Sequence, residues 1–455
     1  MKAIGIILAG GNNDGRLGVL TDHRAAAALP IGSCYRAIDF TLSNMSNSGI
    51  GKVAVLTQYN SRSLRDHLMS SKWWDFGRKQ GGLFVFTPYT SNAGSTWFRG
   101  TADSIYQNMT FLKRSNEEYV VITSGDSVYK MDYRKVLEYH KEKNADITVV
   151  YQKMTGKDLS KFGILQMDAD NKLEGFEEKP EQPKSDAASL GIYVISRTLL
   201  INLLNQIIPE GRYSLVKDII IRFIHTLKIY GYEYDGYWNA IGTGIAAYFE
   251  TNMDFLKKDI RDHFINEYPY IETKPKDEPP AKYNRGADVT DSIVGSGAIF
   301  DGKVEHSVVF RRVRVGKGAA VRNSILMEGC QIGENCVVEN AIFDKEVVLS
   351  AGQRVIGVSS EEPAAESGET DKQDHAQDQG RCGSGGESGQ EQPHADPAAQ
   401  KQQENGQQDP HHHGHAPGPQ GLSGPVQNQL QDFQELCHQI AHHERGPPYF
   451  IDPPQ

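Results

Sequence analysis

Up to about Lys258 the chain alternates short apolar or β-branched runs with stretches whose apolar residues recur at helical spacing. Ala3–Gly11 (AIGIILAGG), Lys52–Thr57, Tyr119–Thr123, Ile147–Tyr151 and Gly191–Ile195 predict strands, and Ser61–Met69, Ser104–Lys113 and Tyr133–Lys143 predict helices between them. This alternation predicts an α/β domain over residues 1–258, a mostly parallel sheet with helices on both faces. Ligands of such sheets sit at the carboxyl ends of strands. Gly10-Gly11 and Ser124-Gly125-Asp126 both fall at such ends, so they should converge on one cleft.

Residues 259–285 are rich in Pro, Lys and Glu and read as a linker. Then the period changes. Ser292-Ile293-Val294, Ser307-Val308-Val309, Ser324-Ile325-Leu326 and Ala341-Ile342-Phe343 recur every 15 to 17 residues, with glycines such as Gly316, Gly318 and Gly333 between them. Apolar residues at hexad spacing with glycine at turns predict a left-handed parallel β-helix over 286–358, of four coils. So small a piece is expected to cap or join subunits rather than to form a binding groove. Residues 359–455 are acidic and Gln/His/Pro-rich, a composition that cannot offset its ordering entropy. Within them, Val426, Leu430, Phe433, Cys437 and Ile440 could line one face of a helix at 426–443. His411-His412-His413-Gly414-His415 reads as a solvated tract rather than a metal site.

At 455 residues the chain has room for two or three domains. Its net charge of -10 resides in the tail: residues 1–358 hold 44 basic and 42 acidic side chains. A nearly neutral body with no basic stripe argues against nucleic acid as a partner. No apolar run approaches the ~20 residues of a membrane span and no signal peptide is recognisable, so a cytoplasmic protein is expected. The five cysteines are scattered without a CxxC pair, which points to neither a zinc site nor a disulfide framework.

The chemistry concentrates in short motifs. An apolar strand running into glycines at the mouth of a helix presents backbone N–H groups to phosphate. Here Gly10-Gly11 is followed by Arg16-Leu17, His23, Arg24, Ala25–Ala28 and Tyr35-Arg36-Ala37-Ile38-Asp39. Asp126, at a strand end, is the leading catalytic candidate. Asp103 could instead cap the helix at Ser104, and Glu178-Lys179 before Pro180 could be a solvated turn. His23 has no partner to activate and reads as an exposed loop residue.

Taken together, these segments resemble the sugar-nucleotide pyrophosphorylases, specifically bacterial ADP-glucose pyrophosphorylase (glucose-1-phosphate adenylyltransferase) of glycogen synthesis. The resemblance spans about 350 residues and implies a Rossmann-like nucleotidyltransferase fold of the GT-A type. It implies catalytic roles for Arg16 and Asp126, the latter holding Mg²⁺. Gly10, Gly11, Gln58, Gly100, Thr101 and Asp103 would border the nucleotide; Glu178, Lys179, Ser189, Gly191 and Asp218 would border the sugar phosphate. The departures fall on the chemistry. Ala26-Ala27 stand where the family has Lys-Pro, Cys34 replaces a basic residue, and Ala240 in YWNAIGT replaces the second metal-binding aspartate. Asp66-His67-Leu68 and Trp74–Phe84 resemble the GlgD-type subunit, which accompanies a catalytic partner. The resemblance therefore implies a regulatory subunit of a hetero-oligomer, expected to be a tetramer, that binds ATP or ADP-glucose and glucose 1-phosphate or a sugar-phosphate effector. Two other readings stand beside it: an enzyme acting alone, with Lys130 or Arg24 supplying the missing charge, and a non-enzymatic sugar-phosphate sensor.

Overall fold

Strand β1 (Ala3–Leu8) is buried on both faces, and its side chains divide by parity: Ala3 and Ile7 enter one apolar cluster, Ile4 and Ile6 another. That is why the run reads as continuously apolar: helices cover the sheet on both sides. The computed structural model describes residues 2–11, 15–77, 81–91, 94–95, 97–156, 158–357 and 364–366. Nine strands form the main sheet: β1, β2 (Lys52–Leu56), β3 (Gly82–Phe86), β4 (Tyr119–Ser124), β5 (Ile147–Lys153), β6 (Gly163–Met167), β7 (Leu173–Glu178), β8 (Ala187–Ser196) and β9 (Ile229–Glu233). The order is β7-β6-β8-β4-β1-β2-β3, with β5 pairing β8 and β9. Pairs among β1 to β4 are parallel as expected, while β8 runs antiparallel to β4, β5 and β6.

One face carries α1 (Ala37–Asn47), α2 (Arg62–Leu68) and α5 (Tyr133–Glu142) through Ile38, Leu42, Leu64, Leu68, Val136 and Leu137. The other carries α3 (Thr101–Gln107), α4 (Met109–Lys113) and α6 (Arg197–Ile207). Helix α1 lies so close to β1 that a Cβ on Gly5 would meet Met45 Sδ at 2.8 Å. His140 on α5 is buried against Tyr119, its Nδ1 2.8 Å from Thr148 Oγ1, and burial pushes it down to about 4. The unfolded chain takes up this proton near the ordinary histidine value and the folded chain does not, so stability falls as pH drops from about 6.5 to 4, by about 3 kcal/mol in all. His140→Gln should flatten that acid limb in denaturant titrations at pH 7 and 4.5; an unchanged slope would contradict the assignment.

The C-terminal part of the body is a left-handed parallel β-helix. Three parallel sheets of five strands form its three faces, each coil giving one strand to each sheet, so there are five rungs, not four, and they run from Lys282–Tyr283 to Ala364–Glu366, past both expected boundaries. The corner before the third sheet is left-handed at Asp291, His306, Asn323 and Asn340, one in each of the first four rungs. Asp and Asn tolerate that conformation better than most residues. The recurring serines form a ladder: Ser324 N donates to Ser307 Oγ and Ala341 N to Ser324 Oγ. Val304, Val321, Val338, Phe300, Cys330 and Cys336 fill the interior, and among the described residues the cysteines are free.

Two expectations about organisation change. The linker is fastened to the domain: Trp74 Nε1 donates to Glu272 O, and Thr273 Oγ1 donates to buried Asp39, which also bonds His67. Nor is the β-helix a separate module. Its Val308, Phe310, Ile325, Met327 and Ile342 share one buried cluster with Leu17, Leu20, Tyr248 and Phe255. The possible helix at 426–443 and the histidine tract lie outside the described residues, as do Asn12–Asp14 and Arg78–Gln80. A chain ending at Asp374 keeps every described strand and is expected to melt within about 2 °C of full length. A larger fall would mean that the terminal apolar stripe packs on the body. No helix among the described residues is long and apolar enough to cross a membrane.

Candidate functional site

Strands β1 and β4 pair in parallel with Leu8 opposite Ser124, so both loops predicted to meet do meet: Gly10-Gly11 and Ser124–Asp126 line the same cavity of about 730 Å³. The glycine loop does not run into an α-helix as expected. It leads to single turns at Gly18–Thr21 and Ala26–Ala28, and the first α-helix begins only at Ala37. Among the described residues, this loop therefore brings no α-helix N-terminus to the wall.

The opposite wall is stitched together from β2's end and the start of α3. Gln58 holds the Phe98 backbone from both sides, accepting from Phe98 N at 2.5 Å and donating to Phe98 O at 3.5 Å. Tyr59 stacks on Trp97 at 5.3 Å, at the rim. Gly100 and Thr101 line the cavity, and Leu215 N donates to Thr101 Oγ1. Asp103 does not reach the cavity. Fully buried behind it, its carboxylate accepts from Arg99 N, Arg99 Nη2 and Gln107 Nε2, so it anchors the wall rather than touching a ligand. The helix also starts at Thr101, not Ser104, which leaves Gly100 in the cap position.

A second cavity of about 290 Å³ continues from the first past Arg16, Asp126, Lys179, Gly191 and Tyr193, which line both. Glu178, Lys179, Ser189 and Gly191 meet here as the motifs imply. Lys179 has a left-handed backbone (φ 53°), uncommon for a residue with a side chain and a mark of sites held by their surroundings. Gly191 (φ 68°) lies where β8 slips register against β5, between Val150 and Tyr151; the bulge turns this stretch of strand to the cavity and requires glycine. Burial raises the Glu178 carboxyl, against the pull of Lys179 and Lys217. Asp218 lines neither cavity: it accepts from Ser214 N and pairs with Arg212. Tyr193, Trp238, Val216 and Thr243 line this half without having been singled out from sequence. Trp238 lay within YWNAIGT, and its buried Nε1 has no hydrogen-bond partner among the described residues.

Asp126 sits on the shared floor, where the surrounding protein desolvates its carboxyl and raises it. Ser124 Oγ donates to it. Position 240 lies next door: Ala240 is the register partner of Ser127, and Ile241 N donates to Asp126 O. Among the described residues no three acids, histidines or cysteines cluster as a metal site. One carboxylate fits Mg²⁺ only where phosphate oxygens and water complete the shell. Ala26 and Ala27 form part of the wall of the first cavity and present methyl groups there. The two cations considered as substitutes are used elsewhere. Lys130 Nζ donates to His263 O and Glu267 O, and Arg24 is buried in a bidentate pair with Asp344 of the β-helix. His23 is exposed, as expected.

A third crevice, of about 240 Å³, opens between the α/β domain and the β-helix and is lined by Cys34, Arg36, Lys276, Arg311, Glu328 and Lys345, among others. Burial, with Arg36 close by, pushes Lys345 down to about 8. Burial alone would raise Glu328, but Arg311, Lys345 and Arg312 outweigh it and hold it at about 2.

The nucleotidyl transferase family model matches residues 4–258, and a GlmU-like C-terminal hexapeptide model matches 279–373. The chain is similar to the glucose-1-phosphate adenylyltransferase of Bacillus cytotoxicus, 39% identical over 359 residues, which covers 77% of this chain and 94% of the relative. Those of Bacillus cereus and Bacillus mycoides are 38% identical over 354 residues, with the same shares.

Proposed function

The chain belongs to the nucleotidyl transferases, among the glucose-1-phosphate adenylyltransferases, and from that premise we propose that it is the regulatory subunit of such an enzyme, with weakened catalysis of its own. The relatives' reaction joins a nucleoside triphosphate to a sugar 1-phosphate and releases pyrophosphate, and its catalysis is positioning plus neutralisation of phosphate charge. One observation carries the reading: the sugar half of the cleft keeps Glu178, Lys179, Ser189 and Gly191, while Ala26 and Ala240 stand in the triphosphate wall and beside Asp126.

In this reading the chain binds glucose 1-phosphate and ATP or ADP-glucose, Mg²⁺ arrives with the nucleotide, and Asp126 is its protein ligand. Arg16 and Lys179, which face both halves, would orient the phosphates. Arg36, Lys276, Arg311 and Lys345 make the interdomain crevice a place for a sugar-phosphate effector. The partner is a catalytic homologue in a cytoplasmic hetero-oligomer, with exposed parts of the β-helix contributing to the contact.

The test is pyrophosphate release by the chain alone, by a catalytic homologue, and by the two mixed. The expected result is negligible release alone, co-elution on mixing, and an altered rate or effector response of the partner. Ordinary turnover alone would make the chain an enzyme in its own right. Binding of glucose 1-phosphate without any effect on a homologue would make it a sensor.

A further inference from the structure

The fork between Arg24 and Asp344 joins residues 320 apart in the chain: Nη1 to Oδ1 at 2.6 Å and Nη2 to Oδ2 at 3.0 Å, both side chains buried. Two and three residues beyond Arg24 lie Ala26 and Ala27, part of the nucleotide wall and of no other cavity described above. We infer that Asp344, in the β-helix, is a positioning residue for the nucleotide half of the cleft, acting through Arg24 on the 24–28 segment.

The physical case rests on how little else fixes that segment's conformation. It is a single turn, Ala26–Ala28, with Ala25 N donating to Asn60 O, Ala28 N to Ala25 O and Leu29 N to Ala26 O. Its side chains are methyl groups, which pack but have no direction. Arg24 supplies the directed side-chain contacts: the fork to Asp344, a longer bond from Nη1 to Leu20 O at 3.4 Å and a contact to Met327 Sδ at 3.8 Å. A guanidinium cannot shed its proton, so without the carboxylate it remains a buried uncompensated charge and must move toward water. The backbone that moves with it carries Ala26 and Ala27. The sugar half is lined largely from β7, β8 and the 238–243 segment, with Arg16, Ser124 and Asp126 shared between the halves, and no residue of the 24–28 turn lines it.

The inference rests on the ligand-binding part of the function proposed above, and the test separates the two. Dissociation constants for ATP and for glucose 1-phosphate are measured on the full chain and on Asp344→Asn, together with amide exchange at Ala25, Ala28 and Leu29 without ligand. The variant should bind ATP at least tenfold more weakly, keep its glucose 1-phosphate affinity within twofold, and exchange those three amides at least tenfold faster. A role in stability alone would shift both ligands together or neither, and would leave the three amides no more affected than the rest of the domain; either result overturns the inference. Should Asp344→Asn fail to fold, the apolar pair Arg24→Met with Asp344→Leu removes the fork without leaving a buried charge, and the same split is expected. If the unaltered chain binds neither ligand, the proposed function falls, and the amide exchange alone decides for or against the anchor.

Discussion

Restoring two side chains, Ala26→Lys with Ala240→Asp, should raise pyrophosphate release from near background by several orders of magnitude. Each substitution puts a charge where the reaction develops or shifts charge. A lysine at 26 would extend from the nucleotide wall into a cavity of about 730 Å³, where its four-carbon stem has room. An aspartate at 240 would project beside Asp126, because residues 240 and 127 are register partners and Ile241 N already bonds Asp126 O. Groups aimed at a transition state are each worth ~10²–10³ in rate. A Mg²⁺ held between two carboxylates rather than one adds Lewis-acid stabilisation of the phosphoryl oxygens. The two gains should be non-additive, with either single variant well below the pair, since lysine and metal act on the same phosphates. Turnover of ~1–10³ s⁻¹ by the unaltered chain would refute the premise, because that is the ordinary range of competent enzymes. An inert double variant that still bound ATP and glucose 1-phosphate would show that the defect lies elsewhere in the cleft.

Removing residues 286 onward, all of the β-helix but its first strand, should abolish cooperative folding of the α/β domain rather than merely its assembly with a partner. Val308, Phe310, Ile325, Met327 and Ile342 are almost wholly buried in a cluster shared with Leu17, Leu20, Tyr248 and Phe255. Burial of each such side chain contributes roughly 1.5–3 kcal/mol. Five of them approach the whole ~5–15 kcal/mol by which a domain is stable. The cut also leaves Arg24 without Asp344. The truncated chain should be insoluble or bind a hydrophobic dye without a sharp melt; a soluble product melting within a few degrees of full length would overturn this account. The consequence is practical. Whether the β-helix joins subunits must be tested with surface changes such as Val348→Glu, at a side chain 63% exposed, which leaves the rungs intact.

Much of this molecule was legible as pattern. The alternation of strands and helices follows from side-chain period, so β1, β2, β4, β5, β8, α2 and α5 lie where the sequence puts them, within a residue or a few. The β-helix was legible because its first four rungs repeat the same apolar positions every 15 to 17 residues; the last strand, Ala364–Glu366, follows after a longer interval and lay outside the pattern. The missing lysine and acid could be recognised because the motifs around Ala26 and Ala240 supply the frame in which an alanine is conspicuous. What a motif cannot say is where its side chain points. Asp103 and Asp218 sit in the right segments yet turn away from the cavities, because a backbone N–H and an arginine nearby already occupy each carboxylate.

The sequence by itself therefore determined the kinds of element, their order and which motif positions carry alanine, since these depend on local period and residue type. Only the tertiary structure decided that Arg24 and Lys130 are spent on Asp344 and on carbonyl groups, that the β-helix and the domain share one core, and that its rungs run from 282 to 366. The physical reason is that a buried cation's role is set by the partner that compensates its charge, and that partner can lie 320 residues away, where no local pattern reaches.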